Sequence, residues 1–314
     1  MIMERDNAMR TRWIVNLVLL VVAAAGGALL YFEPWKGPSE KAPRVVDVDP
    51  GKVGRVVLER PGENGRVVLE RGEGDAWRLA EPFGMRANGT RVHALIQDLR
   101  QRGRDHFPVA ERDLAGFGLK QPKVRVSLDD TTVAIGGKAP IKRARYVRVD
   151  DTIHLADRGI LRTAQRGATD LAARSLVPDG ATITAIDGAG FRVAKDADGW
   201  TVKQADRKPA KDAAKTLAQA WQSAQGLRLV RREGDGGDMK ADARLALKGQ
   251  DQPLRFTRLS TDTKGEVAVT RPGLPVRYVI SAATADRLFT LKTKAAAESA
   301  GGSTGRKNGG GQKS

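Results

Sequence analysis

Residues 66–79 read RVVLERGEGDAWRL, and residues 191–202 read FRVAKDADGWTV. Each is a short apolar run, a tight Gly/Asp turn and a tryptophan opening a second run, with Trp77 and Trp200 lying 123 residues apart. Short apolar runs bounded by Gly, Asn and Asp mark antiparallel strands joined by hairpins. Outward from Trp77, Val53–Glu59 form the preceding run, closed by the turn Pro61 to Gly65. Downstream, Val92, Leu95, Ile96 and Leu99 stand at i, i+3, i+4 and i+7, which predicts a helix with Asn88 or Thr90 as its cap. Outward from Trp200, Ala181–Ile186 and the turn Asp187–Gly190 come first. Ala214, Leu217, Ala218 and Trp221 then repeat the helical spacing, with Pro209 near the start.

The downstream halves match as well. Val124–Leu128, Thr131–Ile135, Tyr146–Val149 and Thr152–Ala156 read as strands in the first copy; Leu245/Leu247, Leu254–Leu259, Glu266–Thr270 and Val276–Ser281 do so in the second. A short helix closes each, near Gly159–Ala164 and Thr284–Leu291. An offset that holds across a helix and several strands implies an internal duplication. Trp77 and Trp200 read as the core anchor of each copy rather than as an aromatic platform for a glycan or peptide.

The expected fold class is α+β: one N-terminal transmembrane helix followed by two repeated modules, each an antiparallel sheet with a packed helix. The span is Trp13 to Phe32, uncharged over 20 residues and flanked by Trp13, Tyr31, Phe32 and Trp35. A cleaved signal peptide ending near Ala23-Ala24-Ala25 is the alternative. The expected organisation is 1–12 cytoplasmic tail, 13–32 span, 33–52 linker, 53–177 first module, 178–292 second module and 293–314 a disordered basic Gly-rich tail. Arg5, Arg10 and Arg12 before the span balance Lys36, Lys41 and Arg44 after it. The boundary arginines favour a cytoplasmic N-terminus at the bacterial cytoplasmic membrane, with the bulk of the chain extracytoplasmic; the reverse orientation is the minority reading.

The 314 residues carry a formal charge of +17 from 54 Lys+Arg against 37 Asp+Glu, and no cysteine. The missing thiols exclude disulfides, iron–sulfur clusters and cysteine nucleophiles. No phosphate-loop, dinucleotide, H-E-x-x-H or G-x-S-x-G motif occurs. Gly136-Gly137-Lys138 reads as a glycine turn. His93, His106 and His154 have no partner at metal or triad spacing, and Asp129-Asp130 and Asp150-Asp151 read as turns. The chain therefore reads as no enzyme, with no catalytic, metal or cofactor residues to assign and no cofactor expected.

Three basic clusters are the candidate contacts to an anionic surface: Arg100, Arg102 and Arg104; Arg228, Arg231 and Arg232; and Lys138, Lys142, Arg143, Arg145 and Arg148. Lipid headgroups or an anionic envelope polymer would be the ligand. Nucleic acid lacks any supporting motif.

An ordered set of short elements carries a family resemblance. These are Arg12-Trp13, Val56-Val57-Leu58, Trp77-Arg78-Leu79 with Pro82, Ala87-Asn88, Leu95 and Leu99. Phe117-Gly118-Leu119 with Pro122, Ile135-Gly136, Tyr146-Val147 and Ala173-Arg174-Ser175-Leu176 continue it. With them the chain resembles the bacterial domain-of-unknown-function family 4340 (DUF4340) of membrane-anchored proteins, over most of residues 10–290. The second copy departs where Gly234–Asp238 replaces Phe117-Gly118-Leu119. The resemblance implies an envelope protein without established catalysis, an accessory to gliding-type ABC transport systems, with ABC transporter subunits as partners. Three functional expectations follow: a non-enzymatic scaffold of a membrane complex, a binding module for anionic envelope polymer or lipid headgroups, and a hydrolase with an unrecognised site.

Overall fold

The computed structural model describes residues 43–62, 65–110, 112–140, 143–232, 238–261 and 263–294. The compact unit that begins at Val45 holds all the elements described here. The expected span at 13–32, the tail from 295 and most of Gly234–Asp238 lie outside the described residues. Among the described residues no helix is long and apolar enough to cross a membrane.

Two antiparallel sheets with few helices make up this unit. The first contains β1 (Arg55–Glu59), β2 (Val67–Arg71), β3 (Trp77–Glu81), β4 (Met85–Arg86), β5 (His106–Pro108), β6 (Val124–Leu128), β7 (Thr131–Lys138), β8 (Ala144–Val149) and β9 (Thr152–Asp157). Its helices are α1 (Gly89–Leu99), α2 (Gly159–Ala164) and α3 (Ala168–Leu171). The second contains β10 (Ile183–Gly188), β11 (Phe191–Asp196), β12 (Gly199–Ala205), β13 (Arg228–Arg231), β14 (Met239–Leu247), β15 (Leu254–Leu259), β16 (Glu266–Thr270) and β17 (Val276–Ser281), with α4 (Ala213–Gln222) and α5 (Ala282–Phe289).

Strand order is β4-β3-β2-β1-β6-β7-β8-β9-β5 in the first sheet and β12-β11-β10-β14-β15-β16-β17-β13 in the second. Apart from the added edge β4, the two orders are the same. In both, the strand after the long helix crosses to the far edge, and the chain returns beside the first strand. Sequence reading missed these crossing strands, β5 and β13, because three or four polar-rich residues show no alternation to detect.

Local chemistry explains the elements it does predict. Helix α1 buries Val92, Leu95, Ile96 and Leu99, each contributing about 1.5–3 kcal/mol of transfer free energy. The Asn88 side chain caps it by accepting from the Arg91 N–H at 3.0 Å. Asp129 and Asp150 have φ of 49° and 48° in the two-residue links that close Leu128↔Thr131 and Val149↔Thr152. The Asp129 carboxylate also accepts from the N–H groups of Gly54 and Arg55.

Two expectations need correction. Trp77 is buried, but Trp200 only packs half-buried against the core. The core tryptophan of the second module is Trp221 on α4, whose indole N–H donates to the Leu288 carbonyl at 2.8 Å. Gly136-Gly137 is not a turn; it lies within β7. A Cβ on Gly136 would approach the Phe117 carbonyl oxygen to 2.6 Å, so these glycines admit the backbone of the 117–119 loop, which Gly137 N–H bonds at 2.8 Å.

The segment after α3 runs between the sheets. Ala172 bridges to Ala87 and Ser175 to Gln225, while Arg86 on β4 reaches Asp179 at 3.1 Å. One apolar core includes residues from both modules.

Candidate functional site

The site is built at one end of the β7–β8–β9 hairpins. Lys138 ends β7 and pairs in register with Arg145 near the start of β8; Ala144 pairs with Asp157 at the end of β9. Arg158 follows, and Arg162 projects one turn along α2. Lys138, Arg143, Arg145, Arg158 and Arg162 line one cleft of about 480 Å³ with a single carboxylate, Asp157.

That carboxylate is already engaged. It accepts from the Gly159 N–H at 2.8 Å and from Arg104 Nη2 at 3.0 Å. The Gly159 N–H, and with it Arg104, holds the Asp157 carboxyl below its ordinary pKa. Arg145 is 5% exposed. Its Nη1 donates to the Gly136 carbonyl at 2.7 Å, and its buried Nε has no partner among the described residues. Burial lowers its guanidinium from the ordinary value. Arg143 sits at φ 46°, in the left-handed region.

The basic clusters expected from sequence therefore divide. Arg143 and Lys138 are exposed at the cleft, and Lys142 lies outside the described residues. Arg145 is corrected from a surface contact to a buried side chain, because its strand position faces the core side beside Val147. Arg148 turns to its own hairpin, with Nε donating to the Asp150 carbonyl at 2.8 Å. Arg100 caps the end of α1 and donates to Gln97 Oε1 at 3.2 Å. Arg102 is exposed, and Arg104 joins the cleft through Asp157. Arg228 forms a two-pronged pair with Glu266 at 2.6 and 2.7 Å. Arg231 is exposed on β13 and Arg232 is half-buried just after it.

Arg158 and Arg162 were missed. Their four-residue spacing across the start of a predicted helix was a usable signal, but only the β8–β9 ladder brings them to Arg143. Sequence spacing also missed a histidine pair. His106 and His154 stand opposite each other on β5 and β9, with ring centroids 6.0 Å apart and planes at 23°. Burial, and secondarily His106, lowers the His154 pKa. Its buried Nδ1 has no partner. His93 lies elsewhere, 3.2 Å from Asp75. No group of three or more His, Asp or Glu side chains suited to a metal occurs among the described residues.

A cleft that gathers guanidinium groups around one carboxylate is suited by charge and geometry to an anion. No curated protein and no solved structure matches the chain. The family model described as "Domain of unknown function (DUF4340)" matches residues 77–246, more than half of the chain. The chain belongs to this family.

Proposed function

We propose that this DUF4340 member is a membrane-anchored, non-enzymatic scaffold of the bacterial envelope, serving a membrane complex such as an ABC transport system. The reading is supported most directly by the edge strand β13. It ends its sheet; Leu227 just before it and Val230 on it are 56% and 41% exposed, while α3 packs beside the strand and Arg174 donates to the Leu227 carbonyl at 2.7 Å. Exposed apolar side chains at such a rim suit docking by a segment of another chain. The uncharged run at 13–32 supplies the anchor in this reading.

The test is affinity purification of the full chain from gently solubilised membranes. Transporter subunits should accompany it. Recovery should drop in a Leu227→Lys/Val230→Lys double variant whose thermal midpoint matches the parent. Recovery of the parent only as a free monomer overturns the reading.

A further inference from the structure

The side chains of Lys138, Arg143, Arg158 and Arg162 make no hydrogen bond or ion pair with any described residue. Arg145 adds a fifth cation with a buried, unpartnered Nε. Several arginines elsewhere are paired locally: Arg66 with Glu59 and Glu81, Arg228 with Glu266, Arg258 with Asp286. Cations gathered in one cleft repel unless an anion joins them.

The second module is an internal control. The β8–β9 ladder begins at Ala144↔Asp157 and the β16–β17 ladder at Glu266↔Ser281. Both Asp157 and Ser281 accept from a backbone N–H of the helix that follows, at Gly159 and Thr284. Counting from these matched positions, Arg143 corresponds to Gly265, Arg145 to Val267 and Arg162 to Asp286. Gly265 has φ 82°, a conformation that glycine adopts freely and that strains a residue with a Cβ. The first module places an arginine there. Val267 is an ordinary buried residue, and Asp286 holds Arg258 at 2.9 Å. The same end of the same topology is thus self-paired in one copy, and in the other gathers cations whose side chains make no hydrogen bond or ion pair with a described residue.

We propose that the cleft of the first module binds a phosphate group, carried by a lipid headgroup or by a soluble phosphoryl compound. Planar guanidinium groups match phosphate oxygens in geometry as well as charge. Arg143, Arg158 and Arg162 would engage the oxygens, with Lys138 beside them and the buried edge of Arg145 beneath. Asp157, ionised and held by Gly159 and Arg104, also attracts Arg158, so the cleft keeps a surplus of cations over its one carboxylate. The inference stands apart from the scaffold reading: it needs neither β13 nor a transporter.

Calorimetric titration of pyrophosphate into the solubilised full chain at low ionic strength tests it. Binding should be sub-millimolar, about tenfold weaker in Arg162→Asp, and several-fold weaker in Arg143→Gly. Arg143→Gly should match or exceed the parent in thermal midpoint, so its loss of binding is not a loss of fold. Arg244→Asp makes the same charge change on exposed β14 and should bind like the parent. Titration of short-chain, water-soluble phosphatidylglycerol into the same solubilised chain separates the sources. Binding of this lipid that Arg162→Asp weakens assigns the phosphate to a headgroup; no binding of it, with pyrophosphate binding still weakened by Arg162→Asp, assigns a soluble ligand. No heat of binding by the parent up to about 10 mM pyrophosphate overturns the proposal. Equal losses in Arg162→Asp and Arg244→Asp overturn it too, since net charge alone would then be the cause.

Discussion

The two modules share a strand order but build their interiors from different residues. The first buries a strand tryptophan, Trp77, against the face of Arg71 at 5.0 Å and edge-on to His93. Its indole nitrogen is buried without an acceptor. The second leaves the matching Trp200 half-exposed and buries Trp221 from its helix, packed on Phe256 and Phe289 and bonded to Leu288. The topology thus demands one large side chain between helix and sheet, and either element can provide it. Since the core is satisfied in both, the differing ends of the hairpins are free to diverge, and there the first module collects cations where the second pairs them.

The largest expected effect breaks or upholds this view of the cores. Trp221→Ala and Trp77→Ala should each cost about 3–5 kcal/mol in denaturant unfolding, and Trp200→Ala only about 1–2 kcal/mol. A cost for Trp200 as large as that for Trp77 would restore the strict equivalence that the sequence predicts. A sharper version compares Trp→Phe. At Trp77 it removes an unsatisfied N–H, whereas at Trp221 it strands the Leu288 carbonyl, so the second should be the costlier by about 1–2 kcal/mol.

A smaller contrast lies in the helix starts. Asn88→Ala should cost about 1 kcal/mol by thermal unfolding. The matching Asp212 of α4 makes no capping bond and sits at φ 58°, so Asp212→Gly should be neutral to slightly stabilising. A clear destabilisation by Asp212→Gly would mean its side chain contributes more than the geometry implies.

The smallest effect at neutral pH concerns the histidines. His154 occupies the ladder position of Tyr278, and its folded-state pKa is lowered. The folded state therefore binds fewer protons than the unfolded state in this range. The contribution is full above the unfolded value near 6.5 and is lost as pH falls through it toward the folded pKa. The thermal midpoint should fall between about pH 7 and pH 5 in the parent, and fall less in His154→Leu. A parallel decline in both proteins would remove His154 as the cause.

Much of the fold was legible in residue order. Apolar spacing located α1 and α4 through Val92/Leu95/Leu99 and Ala214/Leu217/Trp221, and the Trp77–Trp200 offset exposed the repeat. β5 escaped because His106-Phe107-Pro108 owes its strand state to pairing with β9, not to its own pattern. The cleft was half legible. Lys138, Arg143 and Arg145 fall within eight residues, but Arg158 and Arg162 reach them only through the β8–β9 hairpin.

Residue order alone determined the absence of thiol chemistry, the duplication, and most of the runs that become strands and helices, because periodicity and turn chemistry act over a few neighbours. Only the tertiary structure decided that Arg145 is buried while Arg143 is exposed, that Trp221 replaces Trp200 in the core, and that His106 meets His154. Each depends on which face a ladder register turns inward and on what the opposite layer leaves unfilled. No local pattern carries that information, since a one-residue change of register would reverse it.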